Sequence, residues 1–542
     1  MIFNKIKNIT LGLLLSSLAF VSCSDDDGLL SAPRLFRPIA EVSTYENSIT
    51  VKWDLIKSAK AYQLVLSTDS FKTATQTVET TDPSYVFDEL GWDEKYQIRI
   101  KAISSNEDTN DSEFFDCEET QITYPTKLQK VTDVIDVAAR VQWKEAVDYT
   151  AFEIQKSVDG KFQAVDTVLV KDKERTNLQK VIYGLEPETS YRVIAYTGTS
   201  DNYQYEGRQA FKTEASEDFG ANVVDLRNLT DEEAIDTINT DFLEKLEEGT
   251  VVVLQGGFEY NLSSTVTISK SVKFITGLSL SGNAVFKTGG FVAATGSVAN
   301  IEFNKVDFIT SGDKNASNFG GKYIFNQGNQ SSIGNLKFIN CSIRYMRGIV
   351  RLQSKPSTID NVTIENCVMD SIGGYGVLNC DVAGSQIKAI AITNSTIAHA
   401  EKTLVNSKSQ FGFQTINITD CTFAYCSKGT NKIFDFGTKA GINDNLQFNA
   451  QNILFGPSFD GAATNGVTCL GTDSKLSFTN CYKTADLLWI TNETGAAVSP
   501  LPSVEEYSKN STDLWNNPTV SDFSIKDTGF AGAKNTGDPR WR

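Results

Sequence analysis

The 542-residue sequence predicts an all-β chain: two β-sandwiches followed by a right-handed parallel β-helix with an N-terminal capping helix. Three observations predict it. First, one short phrase recurs, as FINCSI (338–343), IENCVM (364–369), ITNSTI (392–397), ITDCTF (418–423) and FTNCY (478–482). Its polar bend residue stands at Asn340, Asn366, Asn394, Asp420 and Asn480. With Asn452 added, the separations are 26, 28, 26, 32 and 28 residues, the signature of a solenoid. Second, a small and a larger residue follow each bend at a spacing of two (Cys341/Ile343, Cys367/Met369, Ser395/Ile397, Cys421/Phe423), which means strands with one buried face. Third, residues 31–124 and 125–214 share one plan. Each has a strand ending in Trp (ITVKW, 49–53; ARVQW, 139–143) and a Leu six residues before the Tyr that opens a later strand (Leu90/Tyr96; Leu185/Tyr191).

A repeat of 26–32 residues accommodates one coil of three short strands. Asn suits its bend because it tolerates the left-handed backbone region, and stacked Asn side chains can hydrogen-bond from coil to coil. Leucine-rich repeats compete on period, but they need regular Leu positions that this segment lacks.

In chain order, residues 1–22 carry Lys5 and Lys7 and then an apolar run from Ile9 to Val21. That run is too short to span a bilayer and reads as a signal peptide. Ser22-Cys23 resembles the lipobox of bacterial lipoproteins, with the bulky Phe20 a departure from the usual aliphatic residue. The resemblance implies lipidation of Cys23. SDDD (24–27), within an acidic linker over 23–30, resembles the signal that exports some lipoproteins to the outer face of the outer membrane. The expected location is therefore the outer membrane, lipid-anchored and facing the exterior. A solvated acidic linker is the plain alternative.

The Trp-bearing strand and the Leu-x5-Tyr corner of 31–124 and 125–214 look like fibronectin type III, twice over. Trp53 and Trp143 are then core residues rather than sugar platforms, and the sandwiches read as spacers. The third domain spans 219–542. LTDEEAIDTINTDFLEKLEEG (229–249) has Thr230 or Asp231 as N-cap, acids in its first turn and Gly249 as its stop, and predicts one helix. An apolar strand, a Gly-rich turn and two short strands follow in 250–277. This resembles the opening of pectate-lyase-like β-helices, where a helix covers the exposed first coil. The stretch from about 499 is expected to cover the opposite end. Lipoprotein signal, two fibronectin-like modules and a β-helix ending in DPRW (538–541) together resemble a family of surface lipoproteins encoded with glycan-uptake systems. That resemblance implies a carbohydrate partner, most naturally pectin-like, and outer-membrane uptake proteins as neighbours. It supplies no catalytic residue.

A net charge of −17 argues against a nucleic-acid partner, whose phosphates need a basic surface, but an acidic glycan can be held in a local basic groove. Of nine cysteines, lipidation would take Cys23, and four others (341, 367, 421, 481) fall just after a bend. Side chains stacked in parallel about 4.8 Å apart do not offer the close β-carbon approach of a disulfide. They read as buried thiols, and no CxxC or Cys/His spacing indicates a metal such as zinc.

For a site, the strands after each bend phrase align as YIFNQ (323–327), IVRLQ (349–353), VLNCD (377–381), LVNSK (404–408), IFDFG (433–437) and VTCLG (467–471). With Val350/Leu352, Leu378/Cys380, Val405/Ser407 and Phe434/Phe436 inward, one outward column holds Asn326, Arg351, Asn379, Asn406 and Asp435. Such planar polar groups suit sugar hydroxyls and carboxylates, Arg351 bidentately. Lys355, Lys402 and Lys408 lie near the same surface, and Tyr345, Tyr375 and Trp489 are candidates for stacking. A structural Asn ladder is the plain reading of the same column.

Catalysis has weaker signals. The resemblance to pectin-degrading lyases would make Arg351 a proton-abstracting base, with Lys402 and calcium assisting, but Asp370, Asp381 and Asp435 are spread over different coils. Neither the paired carboxylates of a glycosidase nor GxSxG is present, and RIK (99–101) lies in a sandwich strand. His399, the only histidine, reads as a surface or coil-stacking residue for want of a partner. The expected function is a non-catalytic glycan-binding lipoprotein for an acidic polysaccharide, without a cofactor. The alternatives are a divergent polysaccharide lyase, and an adhesion or scaffold protein of an outer-membrane complex.

Overall fold

The computed structural model describes residues 32–542 except 230–232, 234, 263, 288, 311–318, 320, 430, 438–440 and 492–496. Cys23 and its flanks, like Thr230 and Asp231, lie outside the described residues. The chain divides into two compact units between Thr126 and Lys127.

The first unit is a fibronectin type III-like sandwich. Ala40–Tyr45, Ser48–Trp53 and Ser84–Phe87 form one antiparallel sheet, and Gln76–Thr80, Ala59–Ser67, Lys95–Ser104 and Phe115–Asp116 form the other. Alternation is strict in Lys95–Ser104, where every second residue from Tyr96 is buried against Trp53, Leu64 and Phe87. The Tyr96 hydroxyl donates to the Gly91 carbonyl at 3.3 Å, closing the corner that the Leu-x5-Tyr spacing predicts.

The second unit opens with the same sandwich. Gln179–Tyr183, Ala138–Gln142 and Asp133–Val134 face Lys161–Leu169, Ala151–Val158, Ser190–Thr199 and Asn202–Lys212. Trp143 packs edge-on against Tyr149 and Phe152, and the Tyr191 hydroxyl accepts from the Glu186 amide at 3.0 Å. This sandwich is not a free spacer. Arg227, at the start of the β-helix, donates to sandwich residue Asp136 at 2.9 Å, and both are buried. Arg140 donates to the Leu280 carbonyl, and Tyr183 packs against Phe258. A desolvated ion pair holds only when both partners are present, so it ties the two folds in one geometry.

The β-helix stacks three parallel sheets. Successive coils contribute, for example, Ser331–Ile339 to the first sheet, Ser342–Met346 to the middle sheet and Gly348–Leu352 to the third, then Thr358–Glu365 to the first again. The bend between the first two sheets is the recurrent polar residue: Asn340, Asn366, Asn394, Asp420, Asn452 and Asn480 all have φ of 48–58°, the left-handed region. Their amides stack, with Asn366 donating to Asn340 at 2.6 Å and Asn480 to Asn452 at 2.8 Å. Cys341, Cys367, Cys421 and Cys481 follow the bends as buried free thiols. Burial pushes the Cys380 thiol up to about 12, so it is inert packing.

Two expectations need correction. The predicted helix over 229–249 is not continuous: Ile235–Thr237 form a turn, and the described helix is Thr240–Lys245. Asn239 caps it, its side chain accepting from the Phe242 amide at 2.9 Å. An Asn with extended backbone outcompetes interior helix propensity at that point. The helix does cover the first coil, burying Leu243 in the solenoid core. The C-terminal stretch caps the far end with its first part, where Ala497–Val498 and Val504–Tyr507 add strands to the third and middle sheets and Leu501 is buried in the solenoid core. Residues 511–542 then turn back along the outer face of the middle sheet. Trp515 is fully buried over Ala424 and Gly456. The DPRW end reaches the bend ladder, where the Trp541 indole donates to Thr396 at 2.7 Å and Arg540 donates to Asn366 at 2.6 Å.

Candidate functional site

The third sheet places Asn326, Arg351, Asn379, Asn406 and Asp435 in register, each beside the next, and Thr468 continues the column. The partners expected to point inward, Val350/Leu352, Leu378/Cys380, Val405/Ser407 and Phe434/Phe436, are all buried. The column is less open than a bare polar stripe. Asn379 is 3% exposed, and its carbonyl oxygen accepts from Asn406 at 2.9 Å. The carbonyl oxygen of Asn326 is buried without a partner, and Asp435 accepts from Lys432 at 3.2 Å and Thr468 at 2.9 Å. The outward column is therefore corrected at Asn379 alone: close strand spacing lets planar side chains bond one another and seals Asn379 between neighbours, while Asn326, Arg351, Asn406 and Asp435 stay partly exposed.

Arg351 is the rung with chemistry around it. It donates to Asp381 at 3.1 Å and 2.5 Å, and Asp381 also accepts from Lys408 at 2.6 Å. Its guanidinium lies 4.2 Å from the Tyr375 ring centroid and 5.6 Å from that of Tyr323, and Arg347 stands 4.7 Å from the same Tyr375. Tyr323 and Tyr375 meet edge-on at 5.5 Å. Two cations on two aromatic rings are attracted to the rings' negative faces while keeping their donors in plane. Partial burial pulls the Arg351 pKa down, but the hydrogen bond and charge of Asp381 outweigh it and the net shift is upward. A guanidinium so held is a poor proton acceptor. Lys402 lies in the loop joining the middle and third sheets, one coil on from Tyr375 and against Gly376, its amine donating to Asn431 at 3.3 Å. Among the described residues, no group of three or more His, Cys, Asp and Glu side chains is spaced to hold a metal ion.

Reading by strand alone misses the corner between the middle and third sheets. Arg347 and Tyr375 occupy it. His399, on the middle-sheet strand Thr396–Ala400, is the coil-stacking residue the sequence suggests and has a carboxylate partner besides. His399 Nδ1 lies 3.3 Å from Asp370, and its ring stacks on Tyr425 at 4.8 Å, nearly parallel. Asp370 also accepts from Ser371 at 2.7 Å and from Ser521 of the returning tail. The signal was present: Arg347 and Tyr375 are 28 residues apart, Asp370 and His399 29, Arg351 and Asp381 30, all within the coil period. In a solenoid, residues one period apart are neighbours.

Residues 258–400 match the family described as "Domain of unknown function (DUF4957)", and residues 416–541 match "Domain of unknown function (DUF5123)". Both stretches lie in the β-helix and its returning tail. No curated protein matches the chain. Among solved structures, one of "chicken CNTN1 FN1-FN3 domains" is 18% identical over 34% of this chain and 69% of its own, with a TM-score of 0.15. A "two fibronectin type-III domain segment from chicken tenascin" is 16% identical over 32% of this chain and 99% of its own, with a TM-score of 0.16.

Proposed function

We propose that this chain is a cell-surface lipoprotein, anchored through Cys23 in the outer membrane, whose β-helix binds an acidic polysaccharide for a glycan-uptake system. The observation that carries the reading is the cation–aromatic cluster of Arg347, Arg351, Tyr323 and Tyr375, with Lys408 beside it, on a chain of net charge −17. A local concentration of guanidinium groups on an acidic protein selects carboxylated sugars, and the tyrosine rings hold those groups in place. Repetition along the coils supplies many weak contacts, so long chains bind better than short ones. The lyase alternative loses support at Arg351, whose raised pKa and ion pair with Asp381 oppose its use as a base.

The test is retardation of the soluble chain, beginning after Cys23, in native gels containing acidic or neutral polysaccharides, with ultraviolet absorbance followed in parallel. Arg347→Ala should weaken acidic-glycan binding by about tenfold, the loss of one or two charge-assisted contacts. It leaves the Arg351–Asp381 pair intact. Growth of absorbance would establish a lyase instead, and a silent result in both assays would favour a protein partner in an outer-membrane complex.

A further inference from the structure

Further along the corner that carries Arg347 and Tyr375, a cleft of 550 Å³ opens between the loop Pro457–Gly461 and the returning tail at Ser511. We propose that it binds an uncharged pyranose, a second carbohydrate subsite opposite in charge to the arginine cluster. The inference rests on the glycan-binding reading and deepens it: the polymer would carry neutral residues as well as uronates.

Two carboxylates rim the cleft, and both are fixed by backbone amides. The oxygens of Asp460 accept from the Gly429 amide at 3.1 and 3.0 Å, and one also accepts from Ala462 at 3.2 Å. Asp486 accepts from the Ser511 amide at 3.1 and 3.2 Å and from its hydroxyl at 2.6 Å. A carboxylate has about four acceptor sites, so each keeps lone pairs for sugar hydroxyls. The wall is apolar: Leu488 is 51% exposed and Phe459 half-buried, a surface for the C–H face of a ring. Lys428 stands over the Phe459 ring and its charge also reaches Asp460, but it is paired with Glu401 at 3.3 Å, so the local balance stays negative. Two fixed negative charges repel a uronate and accept hydroxyls, which is what an uncharged sugar requires. The volume suits one small ligand.

The placement fits one polymer. Tyr375 precedes Leu378–Cys380 of the third sheet, and Phe459 precedes Asn465–Thr468, three strands further on. At about 4.8 Å per strand, the two places are roughly 15 Å apart along the axis, within reach of one glycan chain.

Saturation-transfer NMR on the soluble chain, with a panel of neutral methyl pyranosides, an amino sugar and a uronate polymer, tests this. At least one neutral pyranoside should bind, with affinity falling about tenfold in Asp460→Asn and severalfold in Leu488→Ala, the latter a surface change that leaves folding intact. Arg347→Ala should leave that binding unchanged. Binding of no neutral pyranoside, of the amino sugar alone, or binding indifferent to both cleft variants would overturn the subsite while leaving acidic-polymer binding standing. Neutral binding without uronate binding would instead sink the acidic-polymer reading and keep the cleft.

Discussion

The outer faces of the middle and third sheets come from the same coils yet carry opposite surfaces. On the middle sheet, the outward residues Ala398, Ala424 and Gly456 are small and buried, because the chain's own tail lies on them: a side chain at Gly456 would meet Trp515 at 2.8 Å. On the third sheet, the column from Asn326 to Asp435 is planar and polar, and its neighbours are cations and tyrosines. An outward column thus records what lies against it. Small residues mark a partner within the chain. Planar polar ones mark either neighbouring rungs or a ligand, and only contacts decide which.

The largest expected effect breaks the covered face. Trp515→Ala should cost about 3–5 kcal/mol of the stability that urea denaturation reads, since the site cannot collapse around so large a cavity. Limited proteolysis should then cut first within 511–542. If cleavage and stability stay as in the wild type, the tail is not what holds the middle sheet's small residues in place. The corresponding change on the third sheet, Tyr375→Ala, should lower acidic-glycan affinity more than stability, because Tyr375 is only partly buried.

A pH dependence separates the faces next. Burial raises the Asp370 pKa, but hydrogen bonds from His399 and Ser521 outweigh it and the net shift is downward from 3.8. A carboxyl depressed in the folded state adds stability that is complete above its unfolded pKa and lost as pH falls through the folded value. Asp538, in the tail itself, is shifted upward by burial, so its contribution runs the other way, full at low pH and lost as pH rises through its folded value. Asp370→Asn should therefore flatten the loss of tail protection as pH falls to 3.8 and below. An unchanged acid profile would show that the Ser521 contact does not hold the tail.

Much of this was legible in the sequence, and for stated reasons. The bend ladder could be read because a left-handed position every 26–32 residues selects Asn or Asp, and the sandwich corners because one tyrosine hydroxyl must reach backbone five residues upstream. The third-sheet register followed from period-two alternation. The tail's path was not legible, since Trp515 and Ala424 are 91 residues apart, far outside the period. The docking of the second sandwich was hidden too: Asp136 and Arg227 are ordinary charges until a buried interface joins them. His399 does stack on a neighbouring coil, as the sequence suggests, but its contact with Asp370 was not legible, because its partners, Asp370 and Tyr425, lie one coil to either side rather than nearby in sequence.

The smallest effect is the sharpest on the polar column itself. Asn406 donates to the sealed carbonyl oxygen of Asn379. Asn406→Ala strips that acceptor of its partner, and a buried acceptor left alone costs about 1–3 kcal/mol. Should the variant lose that stability while acidic-glycan retardation is unchanged, this rung is a structural ladder, and recognition belongs to the Arg347–Tyr375 corner. Should retardation weaken while stability holds, Asn406 faces the polymer and Asn379 has found water in its place. The two outcomes separate stacking between coils from recognition at a position where the sequence alone admits both.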